Sequence, residues 1–453
     1  MSALTETIPV APPHRARWGC RLAALALLLG VAGCAETETR GRALVVGVDG
    51  ATASVLDAMI AEGELENFLA LRENGASGML RSEFPLLSPR IWTSIATGKA
   101  PELHGIEHWV HLDEAGTVRL YSSHDRRVPA IWNILSETGL TVGVVNWLMS
   151  HPPERISGVM VSDHAGPDVL TRRIGLGGEF ARRLFPDAPG ELVPSQNDMA
   201  FAEPAQWAAR FADELARSDP LTDIEDPFAN DGQRPENLVL EYFSEIFLTD
   251  QAVTRTALEI EREQSPDLLM VYLPGVDRVS HFLFSALVDL EKIPEIHHQL
   301  AAVRAENARS LRLYYRYVDL LVGKLAERYG PEDLVLVISD HGFEAPYESK
   351  HQLQGIHVSE AARDGVVLMR APGIPGGSRA EGMSIYDVMP TLLAWFGLPA
   401  AEDMQGRAPG FVPFGIARSV RSYDSVPIAR TQDTGSGVEP EIIRELRSLG
   451  YVD

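Results

Sequence analysis

This 453-residue sequence predicts a doubly wound α/β fold: a mostly parallel sheet sandwiched by helices, with an inserted cap. Three observations carry that expectation. Six short apolar runs are continuous rather than alternating, as in strands buried on both faces. Helical patterns lie between them, so strand, helix and strand succeed one another with right-handed crossovers. One long segment in the middle breaks the rhythm.

The N-terminus reads as an address rather than as fold. Arg15, Arg17 and Arg21 lead into the apolar run 22–31, which closes on Val31-Ala32-Gly33-Cys34. A basic region, a short apolar core and small residues before a cleavage point make residues 1–33 a signal peptide, too short to span a bilayer comfortably. The closing tetrapeptide resembles a bacterial lipobox. That implies cleavage before Cys34, lipidation of Cys34, and a short tether over 34–42. The expected location is outside the cytoplasm, anchored by lipid to a bacterial membrane and facing the periplasm or the cell surface. The alternative is an ordinary secretory signal with a chance cysteine. The second cysteine, Cys20, leaves with the signal, so the mature chain has no disulfide to form.

Loss of the three Arg and one Glu within residues 1–33, from totals of 40 basic and 63 acidic residues, leaves a formal balance of −25. Such a surface repels nucleic acid and anionic head groups, so no nucleic-acid surface is expected. An anionic substrate would need metal ions to supply local positive charge.

The strands are expected at 43–48, 141–147, 158–162, 267–273, 333–339 and 365–369, and the helices at 53–61, 128–138, 247–264, 301–328 and 384–396. The core domain is therefore 43–164 together with 246–453. Residues 165–245, rich in Asp, Pro, Ala and Arg with one helical stretch near 201–217, are too long for a plain connection and read as the inserted cap.

Chemistry gathers where ligands bind in such sheets, beyond the carboxyl ends of the strands. Asp49 ends the first run. Asp277 stands just past another, with His281 four residues later on the same helix face. Asp340 and His341 end a third, and His357 follows on a loop. Each has a plainer reading: Asp49 as a turn or helix cap, Asp277 and His281 as an ion pair, Asp340-His341 as a polar loop. Together, three carboxylates and three histidines at strand ends are the donors that two adjacent divalent ions require. The stretch 84–106 adds Ser88 before Pro89, with Ser88 expected as the helix N-cap and Pro89 at the first helical position. A serine oxygen at a helix N-terminus also suits a nucleophile facing an anion.

Here the set resembles the alkaline phosphatase superfamily, most closely its type I phosphodiesterase/nucleotide pyrophosphatase branch. In that branch a Thr or Ser nucleophile precedes a Thr-Gly pair and Pro-x-x-His-Gly-Ile. Ser88, Thr97-Gly98 and 101–106 match that spacing. The resemblance implies one metal site of Asp49, Ser88, Asp340 and His341, and another of Asp277, His281 and His357. It also implies an alkaline phosphatase-like fold, two divalent ions (zinc, with manganese accepted by the same donors), a small phosphorylated substrate and a phosphoseryl intermediate on Ser88. One position departs: Ile91 stands where the branch has a phosphoryl-binding Asn, leaving Arg90 or Asn146 as substitute donors.

The expected function is an exported two-metal phosphoester hydrolase, a phosphodiesterase. Phosphomonoesterase, phosphonate hydrolase and phosphomutase-like chemistry use the same ligands and stay open. A sulfatase would need an Arg where Trp92 stands. A non-catalytic binding lipoprotein would be expected to have lost a ligand, and all seven positions are competent.

Overall fold

A computed structural model describes residues 41–112, 118–163, 184–185, 238–287, 301–345, 355–415 and 418–431. The expected signal peptide, Cys34 and most of 165–245, including the helical stretch expected near 201–217, lie outside the described residues.

In chain order the elements are β1 (Ala43–Val48), α1 (Ala53–Ala61), α2 (Glu66–Glu73), β2 (Ala76–Leu80), α3 (Ser88–Thr97), α4 (Pro101–His104), β3 (Val110–Leu112), β4 (Val118–Leu120), α5 (Ile131–Glu137), β5 (Val142–Val145), β6 (Gly158–Val161) and β7 (Leu184–Phe185). There follow α6 (Leu238–Gln264), β8 (Leu268–Leu273), α7 (Gly275–Leu283), α8 (Ala301–Ala326), β9 (Leu334–Ile338), β10 (Gly365–Arg370), β11 (Ser378–Arg379), α9 (Val388–Trp395), β12 (Ala400–Ala401) and β13 (Ser419–Val420).

Nine strands form one sheet in the order β11-β2-β10-β9-β1-β8-β5-β6-β7. All six expected strands are present, shorter by one to three residues in four cases. The centre is parallel: β1 pairs with β8 and β9, and β8 with β5. β10 runs antiparallel to both β9 and β2. The strand β2 has no counterpart among the apolar runs, because Ala-Ser-Gly-Met-Leu is small and half exposed. The helix α6 begins at Leu238, earlier than its expected start at 247.

Why the central runs are unbroken becomes plain from their packing. Leu44, Val46 and Val48 of β1 enter one core, with Leu56, Phe68, Ile260, Val276 and Tyr317 from α1, α2, α6, α7 and α8. Ala43 and Val45 enter the other, with Trp92, Ile131 and Leu393 from α3, α5 and α9. Successive side chains of a strand point to opposite faces, and here both faces are covered. The register then places the site. Val48 stands opposite Leu273, and Gly47 opposite Ile338, so the carboxyl ends of β1, β8 and β9 lie side by side.

Candidate active site

Each expected ligand follows directly from one of these three strands or from a segment tied to them. Asp49 is the residue after β1, and its own N–H donates to Leu273 O at 3.1 Å, locking it to the end of β8. The next helix is capped at Thr52, so Asp49 is not spent as a cap. Asp277 and His281 lie one turn apart on α7, which starts two residues after β8. Asp340 and His341 follow β9 after one residue and are fully buried. His357 is held by a local device: Glu344 and Ile356 bridge reciprocally at 2.8 and 2.9 Å, and the Glu344 carboxylate accepts the Val358 and Ser359 N–H groups at 3.3 and 2.8 Å. The Gly355 N–H donates to Ser280 O and His281 O at 3.1 Å, fastening that segment to α7.

These anchors bring the six carboxylate and imidazole groups together. His341 Nε2 lies 3.5 Å from Asp49 Oδ1, 3.4 Å from Asp340 Oδ2 and 3.9 Å from Asp277 Oδ1. On the other side, His281 Nε2 is 3.5 Å from Asp277 Oδ1 and 3.2 Å from His357 Nε2, and His357 Nε2 is 3.9 Å from Asp277 Oδ1. The carboxylate and imidazole members of both expected sets thus lie together, and His341 stands close enough to Asp277 and His357 to belong to either. The plainer reading of Asp277 and His281 as a simple pair does not account for a second imidazole nitrogen converging on them.

The electrostatics point the same way. A carbonyl can only accept, so the 3.0 Å contact between His341 Nδ1 and Gly342 O puts the hydrogen on Nδ1 and leaves Nε2 facing two carboxylate oxygens. Burial holds His341 below the ordinary histidine range. Burial, reinforced by His341, brings His281 down to about 3. His357 lies well below its ordinary value, first through burial and then through His341 and His281. The opposite happens to Asp340, pushed far up by burial and by the carboxylates of Asp49 and Asp277. Neutral imidazoles beside crowded carboxylates repel one another unless a cation lies between them.

Ser88 supplies the remaining piece. It was expected to cap α3, but it is the first helical residue; Leu87, in extended geometry, is the N-cap. The reason is that Leu87 O already accepts the Arg90 and Ile91 N–H groups at 3.1 and 3.2 Å. Ser88 Oγ is therefore released from capping. It is buried and has no hydrogen-bond partner, as do Asp49 Oδ1, Asp340 Oδ2 and His341 Nε2. A buried polar atom without a partner carries a desolvation penalty of about 1–3 kcal/mol, so four such atoms in one expected ligand set call for an occupant. Oxygen and imidazole donors of this kind fit divalent cations such as zinc or manganese.

Two residues escaped the sequence reading. The Trp92 indole N–H donates to Asp49 Oδ2 at 3.2 Å, and the Tyr272 hydroxyl donates to the same oxygen. They tie down one carboxylate oxygen and leave Oδ1 for the site. Trp92 reaches it because Gly47 has no side chain; a β-carbon there would stand 2.6 Å from the indole. Ser88 and Trp92 are four residues apart on α3 and so share the face turned to Asp49. That spacing was a usable signal. For Tyr272, one strand residue among six buried ones, there was none.

The rest of the 84–106 stretch is anchorage. His104 is fully buried: its Nδ1 accepts the Ile106 N–H at 3.1 Å, and its Nε2 lies 3.0 Å from Ser94 Oγ on α3. Thr97 Oγ1 bonds back to Thr93 O at 2.7 Å. Ile91 is buried in the α3-side core. Of the two substitute donors, Arg90 is paired with Glu83 at 3.2 Å, and the Asn146 amide donates to Tyr272 O at 3.1 Å.

A model of the type I phosphodiesterase / nucleotide pyrophosphatase family matches residues 43–386. No curated protein matches the chain. Among solved structures, a mutant of alkaline phosphatase PafA shares 13% identity over 81% of this chain and 98% of its own, with a TM-score of 0.51. A 2-O GAG sulfatase shares 13% over 81% and 73%, with a TM-score of 0.50. The phosphonoacetate hydrolase of Sinorhizobium meliloti 1021, in complex with phosphonoacetate, shares 18% over 68% of this chain, at a TM-score of 0.44. There the chain spans 58% of that enzyme's length. At such identities the first two superpositions establish a common fold and no more. The family match, which covers well over half the sequence, goes further: the chain belongs to the type I phosphodiesterase/nucleotide pyrophosphatase family of phosphoester hydrolases.

Proposed function

We propose that the protein is an exported, lipid-anchored two-metal phosphodiesterase that works through a covalent phosphoseryl intermediate on Ser88, in which phosphorus keeps the second ester group of the diester. The observation that carries this reading is the release of Ser88 Oγ from capping, buried and without a partner, on the helix face that turns Trp92 toward Asp49. Asp49, Ser88, Asp340 and His341 would hold one ion, and Asp277, His281 and His357 the other. When bound, two divalent ions supply Lewis-acid stabilisation of the transferring phosphoryl group and favour ionised oxygen nucleophiles.

The chain's own residues set the geometry. Ser88 Oγ, at the N-terminus of α3, sits where the helix dipole favours its ionised form. In the first displacement Ser88 Oγ bonds to phosphorus as the ester oxygen leaves with its electron pair and takes up a proton. In the second, water bonds to phosphorus and the serine oxygen departs, regaining its proton. Tyr272 and Trp92 keep Asp49 in one orientation throughout, and the His341 Nδ1–H bond to Gly342 O holds that ring's tautomer. Support for a diester substrate comes from the family itself. Support for export and anchoring comes from the 1–33 signal and Cys34. The 165–245 region is read as a cap that shapes substrate choice.

A substrate panel tests the proposal. Bis-aryl phosphate, aryl phosphate, aryl phosphonate and aryl sulfate are compared on the soluble domain with zinc or manganese restored. The diester should give the highest kcat/KM. Preference for the sulfate or the monoester would overturn the diesterase reading.

A further inference from the structure

A buried acid away from the six ligating groups bears on one of the two clusters. Asp250 sits within α6, fully buried. Its Oδ2 accepts the Tyr314 hydroxyl of α8 at 2.8 Å. Both groups press on Gly275, the first residue of α7: a β-carbon there would stand 2.4 Å from Asp250 Oδ2 and 1.8 Å from the Tyr314 oxygen. The close approach is possible only because Gly275 has no side chain. Asp277 and His281 lie two and six residues further along the same helix.

Taking a carboxylate into the middle of a packed helix is unfavourable, and burial pushes Asp250 up to about 7, opposed by the Tyr314 hydrogen bond, by Arg278 and by the Gly275 backbone N–H. An apolar residue of similar size would pack there with less penalty. What an apolar residue would not do is accept from Tyr314 and seat the positive end of α7.

We infer that Asp250, backed by Tyr314, is a positioning residue that fixes the start of α7 and so the aim of Asp277 and His281 into their cluster. The inference rests on the two-site reading of the centre. Three elements meet at this point: α6 supplies the acid, α8 the phenol and α7 the ligands. Displacing the seat would let α7 rotate or slide, moving Asp277 and His281 together while leaving Asp49, Asp340 and His341 on their own strand ends.

The test is zinc titration against a competing chelator, on the intact folded protein, with helicity and thermal midpoint measured alongside. Asp250→Leu should weaken one of the two binding events by about 10–100-fold, the range for lost outer-shell partners, and leave the other unchanged. Tyr314→Phe should weaken the same event in the same direction. Asp250→Asn, whose amide oxygen still accepts from Tyr314 and Gly275, should restore near wild-type binding. If Asp250→Leu does not fold, Tyr314→Phe and Asp250→Asn decide. Wild-type protein that binds two ions while Asp250→Leu, or Tyr314→Phe in its stead, binds both unaltered would overturn the inference alone. So would equal weakening of both events. Wild-type protein that binds no divalent ion would overturn the two-site reading beneath it.

Discussion

Replacing Tyr272 with Phe removes one oxygen and leaves the ring against Trp92, where the two centroids are 5.2 Å apart and nearly perpendicular. The hydroxyl it removes donates to Asp49 Oδ2, an oxygen that otherwise receives only the Trp92 indole among the hydrogen bonds described. A hydrogen bond to a charged, buried group contributes about 1.5–3 kcal/mol. Losing it frees Asp49 to swing and present either oxygen, so the loss should appear in the affinity of the Asp49/Asp340/His341 cluster. Outer-shell deletions weaken metal binding by about 10–100-fold, the same energy expressed as a binding constant. Every ligand remains, so turnover should return when zinc is added in excess. Chelator competition gives the affinity, and kcat at saturating zinc gives the rescue. An unchanged binding constant, or a defect that no zinc concentration repairs, would refute the claim that Tyr272 acts by holding Asp49.

Further predictions concern the centre, its acid response and its address. Metal analysis of the purified domain should find two divalent ions per chain, and His281→Ala and His341→Ala should each deplete a different site; equal depletion of both by either variant would contradict two separable clusters. His104, held at about 3 first by burial and then by Arg126, keeps its proton off in the folded state while the unfolded chain takes one below its ordinary 6.5. Stability is then full above about pH 6.5 and falls toward pH 3, by about 2 kcal/mol at pH 5 for this residue. Urea melts at pH 7.5 and 5 should show this loss, and His104→Gln should flatten it. Cys34→Ala should abolish metabolic lipid labelling and release the protein from membranes; equal labelling would remove the anchor.

The legible parts of this protein share one physical cause. Strands buried on both faces cannot hide their composition, so the runs ending at Asp49, before Asp277 and at Asp340 stood out, and their alignment in a parallel sheet brought five of the six donors to one place. Local rules failed where a neighbour decided the outcome. Strand β2 is half exposed and built of small residues, so no apolar run marks it. The antiparallel direction of β10 leaves no trace in a buried run. Ser88 looked like a cap because Ser-Pro usually opens a helix that way, yet Leu87 O had already taken the first amides. The grip of Tyr272 on Asp49 spans more than two hundred residues and exists only once β1 and β8 are paired. Ile91, odd as a replacement for a polar donor, is ordinary as a core residue.

The central claim is that Ser88 Oγ is the nucleophile, and rapid acid quenching during turnover of a diester tests it most directly. Wild-type protein should yield one modified residue, Ser88, bearing the phosphoryl group with the remaining ester of the substrate, in peptide mapping. Ser88→Ala should keep its fold, yield no labelled peptide and lose turnover by about three orders of magnitude or more, the scale seen when other nucleophiles are removed. An alanine variant that turns over at the wild-type rate, or a quenched wild-type protein with label on another residue, would contradict the account.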